Sequence, residues 1–275
     1  MATGHSGGGT AEAGIPRLVV ITGAGSGIGR ATALAFARRG DRVVAVDVDG
    51  ATAEATSKDC AALAGNAEWA QCDVADPDAV TALAQRCETE FGPVDVLVNN
   101  AGIGMTGRLT EVPLEQWQRI RSINLDGVVH GCMAFGPAML ERGHGHVINV
   151  SSGLAYTPRA TEPHYVTAKA GVLALSQCLR ADWGPRGVGV TAICPGVINT
   201  PILNATYFGG TASRQKAERL FKRGHSPDKV GAAIVSAVDH DRALVPVGWE
   251  SVLGWYAHRL LPIWVQQLGA RYEPV

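Results

Sequence analysis

A tyrosine and a lysine four residues apart can do acid–base chemistry when one helix carries both. Tyr165 and Lys169 stand so in YVTAKAGVLALSQCLRADW, a run with helical periodicity. Positions i and i+4 share a helix face about one turn apart, so a phenol and an ammonium are held side by side. A neighbouring cation stabilises the phenolate and lowers its pKa from the reference of about 10. At an effective dielectric of about 20, two charges about 4 Å apart interact by roughly 4 kcal/mol, enough to bring a tyrosine toward neutral pH. Ser152 lies thirteen residues before Tyr165, just past the apolar run HVINV, where a strand should end. Its hydroxyl can bind the same oxygen that Tyr165 protonates or deprotonates. Y-x-x-x-K alone is equally compatible with a surface tyrosine beside a charge, so the rest of the chain must decide.

The elements that would position this trio alternate. Apolar, β-branched runs at 17–21, 42–46, 67–72, 94–98, 146–150, 188–194 and 243–247 read as strands. Helical patterns at 27–39, 51–64, 77–91, 113–140, 164–183 and 227–240 lie between them. Such alternation predicts a parallel sheet with helices on both faces. Asp76-Pro77 and Ser226-Pro227 read as an N-cap followed by proline at the first helical position. Gly40, after Arg38 and Arg39, reads as a helix terminator. Nothing divides the chain by composition and no repeat appears, so one domain is expected over 17–250, after a flexible tail at 1–16. The irregular stretch at 198–224 follows a strand end, where ligands bind in such sheets, and is read as a lid.

The first strand runs into Thr22-Gly23-Ala24-Gly25-Ser26-Gly27-Ile28-Gly29 and then a helix. Glycines there permit a tight turn and close approach of the backbone to a phosphate, and the helix N-terminus offers free N–H groups to a pyrophosphate. Asp47 ends the second strand. A carboxylate there accepts from ribose hydroxyls and repels a 2′-phosphate, which favours NAD over NADP, and Val48 supplies no compensating base. Asp73 ends the third strand, where it could meet an adenine edge or serve as a turn residue. Asn99-Asn100-Ala101-Gly102 closes the fourth strand and tolerates left-handed backbone beside a cofactor. Asn124, inside a helical run, is either a satisfied core amide or part of a proton path. Pro195-Gly196 makes a turn beside the nicotinamide pocket.

Composition limits the alternatives. The 275 residues are 46% hydrophobic and 18% charged, which suits one soluble domain of generous size or two small ones. A net charge of −1 without a basic block gives no support for nucleic-acid binding. The six cysteines lack C-x-x-C or short-spaced ladders, so neither a disulfide framework nor a metal site is expected, and a reducing cytoplasm is the natural compartment. No apolar run of about 18 residues predicts a membrane-spanning helix.

Taken together, T-G-A-G-S-G-I-G (22–29), Asp73, N-N-A-G (99–102), Asn124, Ser152, Y-V-T-A-K (165–169) and P-G-V-I-N-T (195–200) resemble the classical short-chain dehydrogenase/reductase family. The resemblance covers about 17–250 and is specific because the motifs occur together and in order. It implies a single Rossmann-type α/β domain with a seven-stranded parallel sheet of order 3-2-1-4-5-6-7. It implies Tyr165 as general acid/base, Lys169 lowering its pKa and binding the nicotinamide ribose, Ser152 polarising the substrate oxygen, and Asn124 holding a water. By the same resemblance Ile28 belongs to the cofactor turn, Val74 packs near adenine, Asn100 lies by the ribose, and Val197 and Thr200 flank the nicotinamide amide. A homotetramer or homodimer through the helices at 113–140 and 164–183 is also implied.

The expected activity is NAD-dependent interconversion of a secondary alcohol and a ketone. Ile198, Ile202, Leu203, Tyr207 and Phe208 suggest an apolar pocket, for a steroid-, terpenoid- or lipid-like substrate. An NADPH-dependent ketoacyl-type reductase and a non-catalytic nucleotide-binding scaffold are the alternatives. The segment 251–275, with Trp255, Tyr256, Trp264 and Tyr272, is read as an aromatic extension packed on the body or on another subunit, with a weak membrane contact as the second reading.

Overall fold

The structure is a computed structural model that describes residues 16–64, 66–210 and 212–271. Most of the tail expected at 1–16, and Tyr272, lie outside the described residues. The first half alternates strand and helix in close succession: β1 (Leu18–Thr22), α1 (Gly27–Ala37), β2 (Arg42–Asp47), α2 (Gly50–Ala64), β3 (Ala67–Gln71), α3 (Pro77–Arg86) and β4 (Val96–Asn99). There follow β5 (Met105–Thr106), α4 (Leu114–Arg121), α5 (Gly127–Arg142), β6 (Gly145–Val150), α6 (Pro163–Trp183) and β7 (Val188–Pro195). The chain closes with β8 (Tyr207–Phe208), α7 (Arg214–Lys222), α8 (Pro227–Asp239), β9 (Leu244–Val247), α9 (Trp249–Leu260) and α10 (Ile263–Ala270).

The seven-stranded sheet has the order β3-β2-β1-β4-β6-β7-β9, every pairing parallel. With the two-residue strands β5 and β8 set aside, that is the expected order. Successive side chains point to opposite faces of a strand, and the central strands are apolar on both. Val20, Val44, Leu97 and Val147 face Phe135, Val172 and Trp183 from α5 and α6. Val19, Ile21, Val43 and Val98 face Phe36 of α1 and Ile234 of α8. Burial on both faces explains why these strands read as continuous apolar runs rather than alternating ones.

Local chemistry sets the ends. The Asp76 carboxylate accepts from the N–H groups of Asp78 and Ala79, with Pro77 opening α3. Ser226 accepts from the Asp228 N–H ahead of α8. Gly40 takes φ +83°, closing the turn after α1.

The structure differs from the sequence reading at 113–140. The periodicity predicts one helix; α4 and α5 are separated by a π-helical turn over Ser122–Asp126. Asn124 sits in that turn, and its amide bonds both the N–H and the C=O of Ile103 at 2.8 and 2.9 Å. Such a turn re-aims a side chain that a straight helix would point elsewhere. The second departure is a small parallel ribbon pairing Met105 with Tyr207 and Thr106 with Phe208. It ties the lid to the segment after β4, and runs this short leave no periodicity to read.

Candidate active site

Ser152, Tyr165 and Lys169 meet where β6 ends and α6 begins. Ser152 is extended, at φ −162° and ψ 153°, and its Oγ accepts from the Leu154 N–H at 3.1 Å. That leaves the hydroxyl proton free to be given, and the Ser152 hydroxyl is near enough to the Tyr165 phenol to favour its ionised form. Ser151 serves the scaffold instead. Its hydroxyl donates to the Lys169 carbonyl at 2.7 Å, pinning α6 to the strand end. Lys169 is 4% exposed and its ammonium donates to the Val150 carbonyl at 2.8 Å. A Cβ built on Gly102 would lie 3.3 Å from Asn124 Oδ1 and 3.5 Å from Lys169 Nζ, so both polar groups crowd that glycine.

Burial dominates the electrostatics. It pushes the Tyr165 phenol up to about 12; the Ser152 hydroxyl opposes this and the nearby Glu162 carboxyl adds to it. Burial also pulls Lys169 down to about 8. The lowered tyrosine pKa expected from sequence is therefore not met in this state. Low-dielectric surroundings disfavour the phenolate, and the ammonium is engaged by the Val150 carbonyl. Glu162, at the N-cap of α6, is itself buried and its carboxyl raised by desolvation. The neighbouring His164 lies edge-on to Trp117, with ring centroids 5.7 Å apart.

Across the sheet, the glycine turn is built to tight tolerances. Gly23 and Gly27 take φ +64° and +51°. A Cβ on Gly29 would lie 2.1 Å from the Gly23 carbonyl oxygen. Ser26 stands at the N-cap of α1 without a side-chain capping bond, so the first N–H groups of the helix are available to an anion. The Asp47 carboxylate accepts from the Gly25 N–H at 2.9 Å and the Asp49 N–H at 3.1 Å, one bond per oxygen. A second lone pair on each oxygen can serve a ribose diol. Val48 is 61% exposed and brings no charge. These groups fit a dinucleotide: unpaired helix N–H donors for the pyrophosphate and a carboxylate for the ribose.

The remaining residues are placed as follows. Asp73 is exposed and its carboxylate accepts from the Ala75 N–H at 2.9 Å, while Val74 packs in the core. The Asn100 amide donates to the carbonyls of Thr22 and Gly23 at 2.9 and 3.1 Å, holding the glycine turn. Thr22 Oγ1 accepts from the N–H groups of Asn100 and Ala101 at 3.0 and 3.1 Å. A Cβ on Gly27 would lie 3.2 Å from Thr200, so the segment after Pro195-Gly196 closes against the glycine turn.

The pocket wall differs in part from the residues named for it. Ile103, Met105 and Tyr207 do pack with Tyr165. Ile198 and Leu203 are buried, Ile198 within the core shared by Val19 and Val98. His225 donates its N–H to the Val197 carbonyl and accepts from the Asn199 N–H, both at 2.9 Å. In a parallel bridge this turns the Ile198 N–H and C=O to the other side. An apolar groove of about 700 Å³, lined by Ala233, Val247, Trp249, Leu253 and Tyr256 among others, shares no residue with this site.

Sequence reasoning misses the residues that fasten the end of β7 and the segment after it. Tyr156 donates its hydroxyl to the Ser251 carbonyl at 3.0 Å, and Ser251 Oγ donates to the Cys194 carbonyl at 2.6 Å. Glu250 accepts from the Val197 N–H at 2.7 Å. These contacts join positions 53 to 95 residues apart, and no local pattern announces them.

The short chain dehydrogenase family model matches residues 17–207. A probable oxidoreductase, EphD, of Mycobacterium bovis is 45% identical over 268 residues, covering 92% of this chain and 45% of that protein. The chain thus spans a little under half the length of that relative. A short-chain dehydrogenase/reductase of Burkholderia phymatum in complex with NAD superposes with a TM-score of 0.82 at 27% identity, over 94% of this chain and 98% of the other. One from Sphingobium yanoikuyae in complex with NADPH gives 0.77 at 25% identity, over 94% and 96%.

Proposed function

Since the chain belongs to the short-chain dehydrogenase family, we propose that it is an NAD-dependent oxidoreductase interconverting a secondary alcohol and a ketone on a largely apolar substrate. One observation carries the reading most: Ser152 at the end of β6 beside Tyr165, with Lys169 one helical turn further along α6 and tied to the same strand end through the Val150 carbonyl. When bound, the nicotinamide supplies the hydride acceptor at its ring C4. In alcohol oxidation Tyr165 removes the substrate hydroxyl proton while Ser152 donates a hydrogen bond to the same oxygen. Lys169 holds positive charge behind the phenol and reaches the nicotinamide ribose. Asn124 keeps the segment at Ile103 in place beside them. A phenol near 12 must be lowered for this step, and positive charge brought beside it would act in that direction. Ile103, Met105 and Tyr207 form the apolar wall for the substrate body. Asp47 without a neighbouring base supports NAD over NADP.

Tyr165→Phe tests the reading. General base catalysis contributes about 10²–10⁴-fold, so kcat should fall by that range while NAD affinity stays within a few-fold. A near-normal kcat overturns it. Assembly is proposed through α5 and α6, checked by light scattering on the purified chain; a monomer contradicts it.

A further inference from the structure

We propose that Glu250 is a positioning residue for the redox reaction: together with His225 it fixes the 195–200 segment so that the Ile198 main chain faces the cofactor cleft. The inference rests on the dehydrogenase reading above and goes on to the residues that hold its nicotinamide side.

The segment spans the cleft from end to end. At its start, a Cβ on Gly153, in the turn after Ser152, would lie 3.4 Å from the Pro195 carbonyl oxygen. At its end, Thr200 lies against Gly27 of the glycine turn. A slip of one residue between those points would change what main chain the cofactor meets. The segment has little regular structure of its own: it leaves β7 at Pro195, and Ile198 makes an isolated bridge with His225.

Glu250 supplies what is lacking. It stands in the first turn of α9, and each carboxylate oxygen has a separate partner. Oε1 accepts from the Val197 N–H at 2.7 Å; Oε2 pairs with His225 Nε2 at 3.0 Å. One side chain therefore joins three segments: 195–200, the turn at 224–225, and α9. The fit is close on each side. A Cβ on Gly196 would lie 2.3 Å from Glu250 Oε1, and a Cβ on Gly248 would lie 2.8 Å from the His225 ring. With the Val197 N–H held by Glu250 and its carbonyl held by His225, both polar groups of Val197 face away from the cleft. Those of Ile198 are left to the opposite side, without a partner among the described residues. A misplacement of about 1 Å at such a point can cost about 10²-fold in rate. A few backbone bonds, from Gly196 to Val247 and across the His225 bridge, hold this stretch, and one carboxylate joins them.

The test separates the two halves of the cofactor. ADP-ribose carries the part that the glycine turn and Asp47 would hold, without the nicotinamide. Wild type, Glu250→Gln, Glu250→Leu and His225→Asn are titrated calorimetrically with NAD and with ADP-ribose, and assayed with an alcohol that wild type oxidises. Glu250→Gln keeps an acceptor for the Val197 N–H and should stay within about threefold of wild type for both ligands. Glu250→Leu should weaken NAD by about tenfold or more and lower kcat further, with ADP-ribose affinity unchanged. His225→Asn, the milder variant if Glu250→Leu does not fold, should show the same split at about threefold. Equal losses for NAD and ADP-ribose, or no loss for either, overturn the positioning role. Wild type that binds neither ligand overturns the dehydrogenase reading and this proposal with it.

Discussion

Around the glycine turn, backbone bonds between adjacent strands are reinforced by the Asp47 and Asn100 side chains. The Ala24 N–H bonds the Val46 carbonyl at 2.9 Å, and the Cys72 N–H bonds the Asp47 carbonyl at 3.0 Å. Close approach there depends on side chains being absent at the glycines. Across the cleft the situation is reversed. Tyr156, Ser251, Glu250 and His225 reach between distant segments, and removing one side chain releases a contact that nothing local replaces. The first region should therefore be intolerant of added atoms, and the second of removed ones as well.

The largest expected effect follows from the first statement. Gly29→Ala puts a Cβ 2.1 Å from the Gly23 carbonyl oxygen, a backbone atom that cannot swing aside. Overpacking typically costs about 1–3 kcal/mol, and a backbone clash of this depth belongs at or above the top of that range. Gly269→Ala, on an exposed turn of α10 with no atom within 4 Å of the added Cβ, provides the control. It should change stability by less than about 1 kcal/mol, in the stabilising direction. Urea unfolding of both variants checks the contrast; similar midpoints would break it.

A second effect belongs to the far side of the sheet. His146 is 6% exposed, and its Nε2 lies 2.8 Å from Thr191 Oγ1, itself a donor to the Arg242 carbonyl. Burial lowers its pKa from 6.5 to about 4, with Asp241 opposing and Arg180 and Arg17 assisting. Between those two values the unfolded chain binds the proton and the folded chain does not. Stability must therefore fall as pH falls through that window, by about 3 kcal/mol at one pKa unit per 1.36 kcal/mol. His146→Gln should flatten the unfolding free energy between pH 6.5 and 4. An unchanged slope in that variant would assign the acid sensitivity to other groups.

The same contrast explains what can be read from sequence. The parallel sheet follows from the alternation of strand and helix runs, its order from the family resemblance, and the glycine turn is visible because its glycines are close together in the chain. Ser152, Tyr165 and Lys169 are legible for a related reason: a strand end and one helix turn bring them together. The break at Asn124 is not legible, because it depends on a contact with Ile103 that folding creates. Glu250 looks like an ordinary residue of a helix's first turn until Val197 is seen beside it. Ile198 misleads through its side chain: apolarity suggests a pocket wall, whereas the side chain belongs to the core and only the main chain is turned to the cleft. The phenol's raised pKa escapes the same reading, because sequence shows Lys169 as a neighbour but not the burial that outweighs it.

The smallest expected effect bears on whether Asp47 belongs to the ligand or only to the turn. Its carboxylate already accepts from the Gly25 and Asp49 N–H groups, so a purely structural role is available to it. If that were all, Asp47→Ala would weaken NAD and NADP alike, since both need the glycine turn in place. If the carboxylate also takes the ribose hydroxyls and repels a 2′-phosphate, the variant should lose NAD affinity and gain tolerance for NADP. The ratio of kcat/KM values should then narrow by about tenfold, or about 1.4 kcal/mol. Parallel losses would confine Asp47 to the turn. A wild-type preference for NADP of about tenfold, the same 1.4 kcal/mol in the opposite sense, would contradict the repulsion argument itself.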